Sequence, residues 1–205
     1  VLHEEGMFAS RVLGAGMLAG VSSPARPWLK ITTPDSNLNQ FKSVRAWLDI
    51  AEARIYQMFG GSNYYHVKQQ SFRDMGDFGQ GPVIMDEDFE DAINCYCSPV
   101  GEYLMAVDHR GVVDTLYRDM QKTALQIVAK FGLQACPREV QDAYARGDYA
   151  TPFDITHVCE PNIYRVDGEL GPRGMPYMNA YYCPGVSTAG GNDIIQVRGY
   201  NENPI

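Results

Sequence analysis

The sequence predicts an α+β protein, with a helical front segment of amphipathic helices followed by a β-rich region that has intervening helices and hairpin or small barrel-like character. Three observations lead there. Apolar residues at three- and four-residue steps mark the first eighty positions, and short β-prone runs bounded by Gly, Pro, Asn and Asp mark most of the remainder. The strand runs also cluster instead of alternating with helices, which argues against βαβ units. On this reading residues 1–81 form the helical region and residues 82–205 the β-rich region with two helices.

Residues 1–20 read as a helix, with Met7, Val12, Leu13, Met17 and Leu18 apolar and Gly14, Gly16 and Gly20 between them. Each glycine weakens a helix by about 1 kcal/mol against alanine, so close packing of another backbone is the expected use. The helix ends before Ser22-Ser23-Pro24, because a residue before proline is pushed out of the α region. Pro24 and Pro27 then direct an extended segment in which Trp28 is placed to anchor the linker on a neighbouring surface.

After the turn Thr33–Asn37, Leu38, Phe41, Val44, Leu48, Ala51, Ile55, Met58 and Phe59 trace the clearest helical stripe in the chain. Asn37 is its expected N-cap and Gly60-Gly61 its stop, and Trp47 beside the stripe is expected in the core. A third helix is expected over 63–75, ending at Gly76, followed by a turn at Asp77–Pro82. Strands are expected at Pro82–Met85 and Ile93–Cys97 around the acidic segment Asp86–Asp91. Tyr103–Val107 and Val112–Tyr117 flank Asp108-His109-Arg110-Gly111, a hairpin signal. Helix resumes near Thr123 and stops at Gly132. Pro137, as a first helical residue, opens another helix over Arg138–Arg146. Strands are expected at Phe153–Val158, Ile163–Val166, Tyr177–Cys183 and Ile194–Val197, with loops at Gly168–Pro176 and Pro184–Gly191.

The 205 residues suffice to bury a sizeable core without metal or disulfide staples. Mean hydropathy is −0.28, and no run approaches eighteen apolar residues, so no membrane-spanning helix is expected. Seventeen Lys and Arg against twenty-five Asp and Glu leave a charge of −8, which argues against broad nucleic-acid binding. Five scattered cysteines, with no secretory pattern, read as reduced thiols in a cytosolic protein.

No motif assembles an active site. Gly14-Ala15-Gly16-Met17-Leu18-Ala19-Gly20 has GxGxxxG spacing inside a helix, where a dinucleotide fingerprint needs GxGxxG after a strand. Cys95-x-Cys97 lacks a second ligand pair for zinc, and Asp86–Asp91 does not fit a calcium loop, so neither a metal nor a cofactor is expected. Asp108-His109 and Asp154…His157 are candidate catalytic bases without a nucleophile elbow. The thirteen tyrosines suit core and subunit-interface packing better than base stacking, since basic residues do not accompany them.

Several of these segments, taken in order, carry a family resemblance. Ala9–Gly20 running into Ser22-Ser23-Pro24-Ala25-Arg26-Pro27-Trp28 resembles the opening of the podovirus portal family, the bacteriophage head-to-tail connecting proteins. Trp47-Leu48 with Ser62-Asn63-Tyr64-Tyr65, the turn Asp77-Phe78-Gly79-Gln80-Gly81, Ser98–Tyr103 and Asp108–Arg118 follow in the family's order. So do the helix carrying Met120, Thr123, Ala124, Gln126, Phe131 and Gly132, then His157–Pro161, then Gly199–Pro204. The resemblance implies a non-enzymatic virion protein: a ring, usually of twelve subunits, at one capsid vertex. Its implied partners are the terminase large subunit, capsid and scaffolding proteins, tail adaptors and double-stranded DNA passing without sequence-specific binding, and no membrane.

Members of the family continue into stem and clip regions, so the chain, which begins at Val1, is expected to be less than half of a subunit, mainly its wing. Pro24, Arg26, Pro27, Trp28, Trp47, Asn63, Tyr64, Phe78 and Gly79 are the structural or interface candidates. Two other readings stay open: a phage head–tail adaptor, and a small cytosolic α+β ligand-binding domain or enzyme with a pocket on the Tyr-rich strands.

Overall fold

The computed structural model describes residues 4–184 and 194–205. It is α+β: among the described residues there are five α-helices and two antiparallel sheets, with three of the helices at the front and two within the strand-rich part that follows. The chain forms two compact units, residues 1–100 and 101–205. The hairpin after residue 82, grouped by sequence with the β-rich part, belongs to the first unit because it packs on that unit's third helix.

The first unit contains α1 (Glu5–Val21), a 3-10 turn (Leu38–Gln40), α2 (Lys42–Gly61), α3 (Tyr64–Phe78), β1 (Val83–Asp88) and β2 (Ala92–Cys97). α1 and α3 meet through small residues. A Cβ on Gly14 would stand against the Arg73 side chain and 3.1 Å from the Gln69 carbonyl, and one on Gly76 would strike Leu13. Gly76 is therefore a packing residue. The helix continues through it, correcting the expected stop, and Asp77 and Phe78 are helical rather than part of a turn. α3 ends where Gly79 turns left-handed (φ 79°) and donates its N–H to the Met75 carbonyl at 3.0 Å.

α2 departs from expectation at both ends and on one side. Its first turn is set off by the 3-10 turn, Phe41 occupies the N-cap position, and Asn37 makes no capping hydrogen bond. Gly60 and Gly61 lie inside the last turn, and Ser62 closes the helix. Trp47 is 67% exposed, not core. At about 100° per residue it points well away from Leu48, the buried centre of the stripe.

β1 and β2 pair from Val83↔Cys97 to Asp88↔Ala92, so the acidic segment is half strand and half turn. The first core joins Tyr64, Val67, Cys95 and Cys97 with Trp28, Phe59, Tyr65, Val83 and Ile93.

The second unit runs β3 (Tyr103–Val107), β4 (Val113–Thr123), α4 (Ala124–Phe131), α5 (Arg138–Ala145), β5 (Pro152–Pro161), β6 (Tyr177–Tyr182) and β7 (Ile194–Tyr200). Its sheet is an open antiparallel array in chain order, with β3 and β7 at the edges. The β3–β4 turn is built by Asp108, whose carboxylate accepts the Arg110 and Val112 N–H groups at 2.8 and 2.9 Å. Gly111 supplies the φ of 79° that this turn requires.

Thr123 and Gln126 form a reciprocal capping box that starts α4. Pro137 is the N-cap of α5 and not its first helical residue, which is Arg138. α4 and α5 cover one face of the sheet. Ala124, Ile127, Val140, Ala143, Ile155, Tyr181, Cys183 and Ile195 make the core there.

Ile163–Val166 is a loop, correcting the expected strand. The Asn162 amide donates to the carbonyls of Arg173 and Met175 at 3.2 and 3.0 Å, and the Val166 N–H to Arg173 at 3.1 Å. These bonds curl the segment, leaving Ile163 and Tyr164 each 80% exposed. The expected loop Pro184–Gly191 lies, from 185 on, outside the described residues.

Candidate interaction site

The nine candidate residues all fall in the first unit, where they separate into an internal clamp and outward surfaces. Trp28 makes the clamp. Its ring lies near-parallel to Phe59 (5.9 Å between centroids, 15°) and Tyr64 (6.3 Å, 4°), and edge-on to Tyr56 (6.2 Å, 90°). Phe59 and Tyr64 stack on each other at 4.1 Å. The Tyr56 hydroxyl accepts the N–H groups of Trp28 and Leu29 (2.7 and 2.6 Å) and donates to the Leu29 carbonyl (3.0 Å). An extended segment with no ladder of its own thus has three of its backbone polar groups met by one phenol. Tyr56 was missed in the sequence because it sits among apolar residues of α2 and its partners lie nearly thirty positions back.

Arg26 secures the other end of the same segment. Its guanidinium donates to the Ala19 and Gly20 carbonyls (2.8 and 3.2 Å), the unpaired acceptors at the end of α1. Pro24 and Pro27 are exposed and shape the path without contributing to the core.

Asn63 staples α3 to the hairpin. Its side-chain oxygen accepts the Cys95 N–H at 2.8 Å, and its amide donates to the Cys95 carbonyl and to Asn94 Oδ1, both at 2.9 Å. The side chain acts as a one-residue extension of the two-stranded ladder. Asn63→Ala leaves both Cys95 backbone groups without these partners, and a loss of about 2 kcal/mol in unfolding free energy is expected. Denaturant titration checks this, and Asn63→Asp, which keeps only the acceptor, is expected to recover part of the loss.

Cys95 and Cys97 share a buried face, as their spacing predicts, and all five cysteines are buried thiols outside any disulfide. Burial, with the Asp74 carboxylate 3.5 Å from the sulfur, pushes the Cys97 thiol up to about 12. Because the folded value lies above the ordinary value of 9.0, the thiol's contribution to stability is complete below pH 9 and disappears as pH rises from 9 towards about 12. Maleimide labelling at pH 8 is expected to be slow in the folded chain and fast after unfolding; fast labelling of the folded chain would contradict the burial.

The outward surfaces are the Trp47 side of α2, Phe78 at the end of α3 (59% exposed), and the β1–β2 turn with Phe89 (97% exposed). Gly79 beside Phe78 is exposed.

The second unit shows what became of the catalytic candidates. Asp108 is consumed by its turn and by Arg110 (2.9 Å), with His109 exposed beside it. His157 is buried on the covered face, where Nε2 contacts Asn179 Oδ1 at 2.8 Å and the ring stacks on Tyr181 at 4.2 Å. Asp154 lies on the opposite face and accepts from Gln121 at 2.9 Å, so the Asp154–His157 pair is not formed.

The open face of the sheet carries a shallow groove of about 660 Å³ lined by Leu104, Tyr117, Asp119, Gln121, Thr156 and Tyr182. Its polar groups pair across strands: Thr156 donates to Asp119 at 2.7 Å and Tyr117 to Glu160 at 2.5 Å. The latter bond, with burial, pushes the Tyr117 phenol up to about 12. Among the described residues no group of three His, Cys, Asp or Glu could hold a metal ion.

Comparison with known proteins decides the family. The family model described as bacteriophage head to tail connecting protein matches residues 1–205. The chain belongs to that family. It is 33% identical over all 205 residues to the portal protein of Salmonella phage epsilon15, of which the match covers 36%. It is 35% identical over 185 residues, 90% of the chain, to the "Probable portal protein" of Bordetella phage BPP-1, of which the match covers 33%. The connector chain thus spans about a third of the length of these relatives. Neither the adaptor nor the small-enzyme reading is favoured by these matches.

Proposed function

We propose that this connector chain is the wing part of a portal subunit. The subunit forms a ring of about twelve copies by head-to-tail interfaces that close on rotation. The ring sits at one capsid vertex of the virion, having assembled in the host cytoplasm with capsid and scaffolding proteins. Double-stranded DNA passes through it during packaging and ejection, the terminase large subunit docks on it and supplies the ATP hydrolysis, and tail adaptors bind after filling.

The observation that carries this reading is the match to the connector family along every residue of the chain, with portal proteins as relatives. The charge of −8 supports it: an acidic wall does not hold DNA phosphates and lets the duplex move.

Native mass spectrometry of the subunit, made as the phage makes it, tests the reading. A ring-sized oligomer is expected, and a monomer or dimer would overturn the proposal.

A further inference from the structure

Two features of the first unit have no use in its own core. Phe89, 97% exposed, stands at the β1–β2 turn among Asp86, Glu87, Asp88, Glu90 and Asp91, five carboxylates and no cation. The turn is a built one: the Asp88 carboxylate accepts the N–H groups of Glu90 and Asp91 at 2.7 and 3.0 Å, and Ala92 adopts a φ of 68°. A bulky apolar ring is thus held out in water, where it forgoes the stabilisation that its burial would supply.

On α2, Trp47 and Ile50 are 67% and 56% exposed. Three residues apart, they are neighbours on one side of the helix, and Arg54 stands one turn beyond Ile50 on the same side. The exposed charged residues of α2 are Lys42, Arg45 and Arg54 against Asp49 alone, net positive by two. Those three cations make no ion pair among the described residues, and Glu52 is turned to the Ile31 N–H.

One surface is therefore anionic and tipped by an aromatic ring; the other is apolar and flanked by cations. Both are exposed in the same chain, so neither covers the other within it. Neither suits a copy of itself, since like charges would face each other. We propose that the Phe89 turn of one subunit docks on the Trp47–Ile50 side of α2 in the next. Each copy then uses one turn and one helix side, the heterologous arrangement that closes into a ring. This rests on the portal-ring reading above.

Crosslinking of the assembled subunit tests it. The native cysteines are buried, so Phe89→Cys and Trp47→Cys placed in one chain supply the reactive pair for a short bis-maleimide. A ladder of covalent multiples is expected from the double variant and none from either single variant. A ladder from one single variant would show like surfaces meeting and overturn the proposal.

Rings of normal mass without a ladder from the double variant would overturn the docking and leave the portal reading intact, pointing to another phage protein as the occupant. Failure of the unmodified subunit to form any ring would remove the portal reading and the docking with it. Independently, Phe89→Ala is expected to weaken ring association about tenfold. Arg54→Glu is expected to weaken it comparably, with recovery when Glu90→Arg is added. Unchanged association in all three would sink the charge-and-ring contact.

Discussion

Trp28→Ala is expected to destabilise the first unit by about 3 kcal/mol. The loss comes mainly from packing, with the long Nε1–H donation of the indole to the Tyr65 hydroxyl (3.4 Å) going as well. The Tyr56 hydroxyl binds the backbone of Trp28 and Leu29, which alanine retains. What disappears is the indole beside Phe59 and Tyr64, the layer that holds the linker to α2 and α3. In a unit of this size each kcal/mol moves the melting temperature by roughly 4–8 °C, so a fall of more than about ten degrees is expected.

Fluorescence gives a second readout, since Trp28 and Trp47 are the two tryptophans of the chain. In Trp28→Ala only the exposed Trp47 remains, and emission is expected to shift towards that of indole in water. Trp28→Phe, which keeps a ring in the stack, is expected to recover about half of the loss. An unchanged melting temperature in the alanine variant would remove Trp28 from the anchoring role.

In the second unit, Ile127→Ala is expected to cost about 3–4 kcal/mol. Ile127 is 1% exposed on α4 and shares the core with Val140 of α5 and Ile155 of β5. Ile155 and Tyr181 of the sheet belong to the same core, so the cavity sits where helix and sheet layers meet. Ile127→Val, removing one methylene, is expected to cost about 1 kcal/mol, which separates a packing effect from a change in helix propensity. Urea titration followed by circular dichroism measures both. Equal costs for the two variants would mean that the site collapses around alanine and that this core is less tightly packed than the structure shows.

Where a local rule settles a feature, it was legible. Asp108–Gly111 reads as a turn because its own side chain and one glycine build it, and Thr123 with Gln126 start α4 within four residues of each other. The buried face shared by Cys95 and Cys97 follows from a strand period of two. The errors lie where a distant partner decides. Gly76 looks like a helix stop and instead makes room for Leu13, sixty-three positions earlier. Asn37 looks like an N-cap, yet a 3-10 turn intervenes. Ile163–Val166 looks like a strand, but Asn162 recruits carbonyls from residues 173 and 175 and bends it. At the candidate site, Trp28 was recognisable as an anchor from its prolines, while Tyr56, which binds its backbone, carried no pattern of its own.

By itself the sequence determined the order and type of most elements and the α+β class, since periodicity and turn chemistry act within a few residues, and its ordered motifs carried the resemblance to the connector family. Only the tertiary structure decided which side of α2 faces inward, leaving Trp47 in water, and which glycines serve packing rather than termination. It also decided which polar side chains complete a ladder thirty residues away. These outcomes depend on what the rest of the chain places opposite each residue, and helical or strand periodicity states only that a residue has a side, not which partner will occupy it.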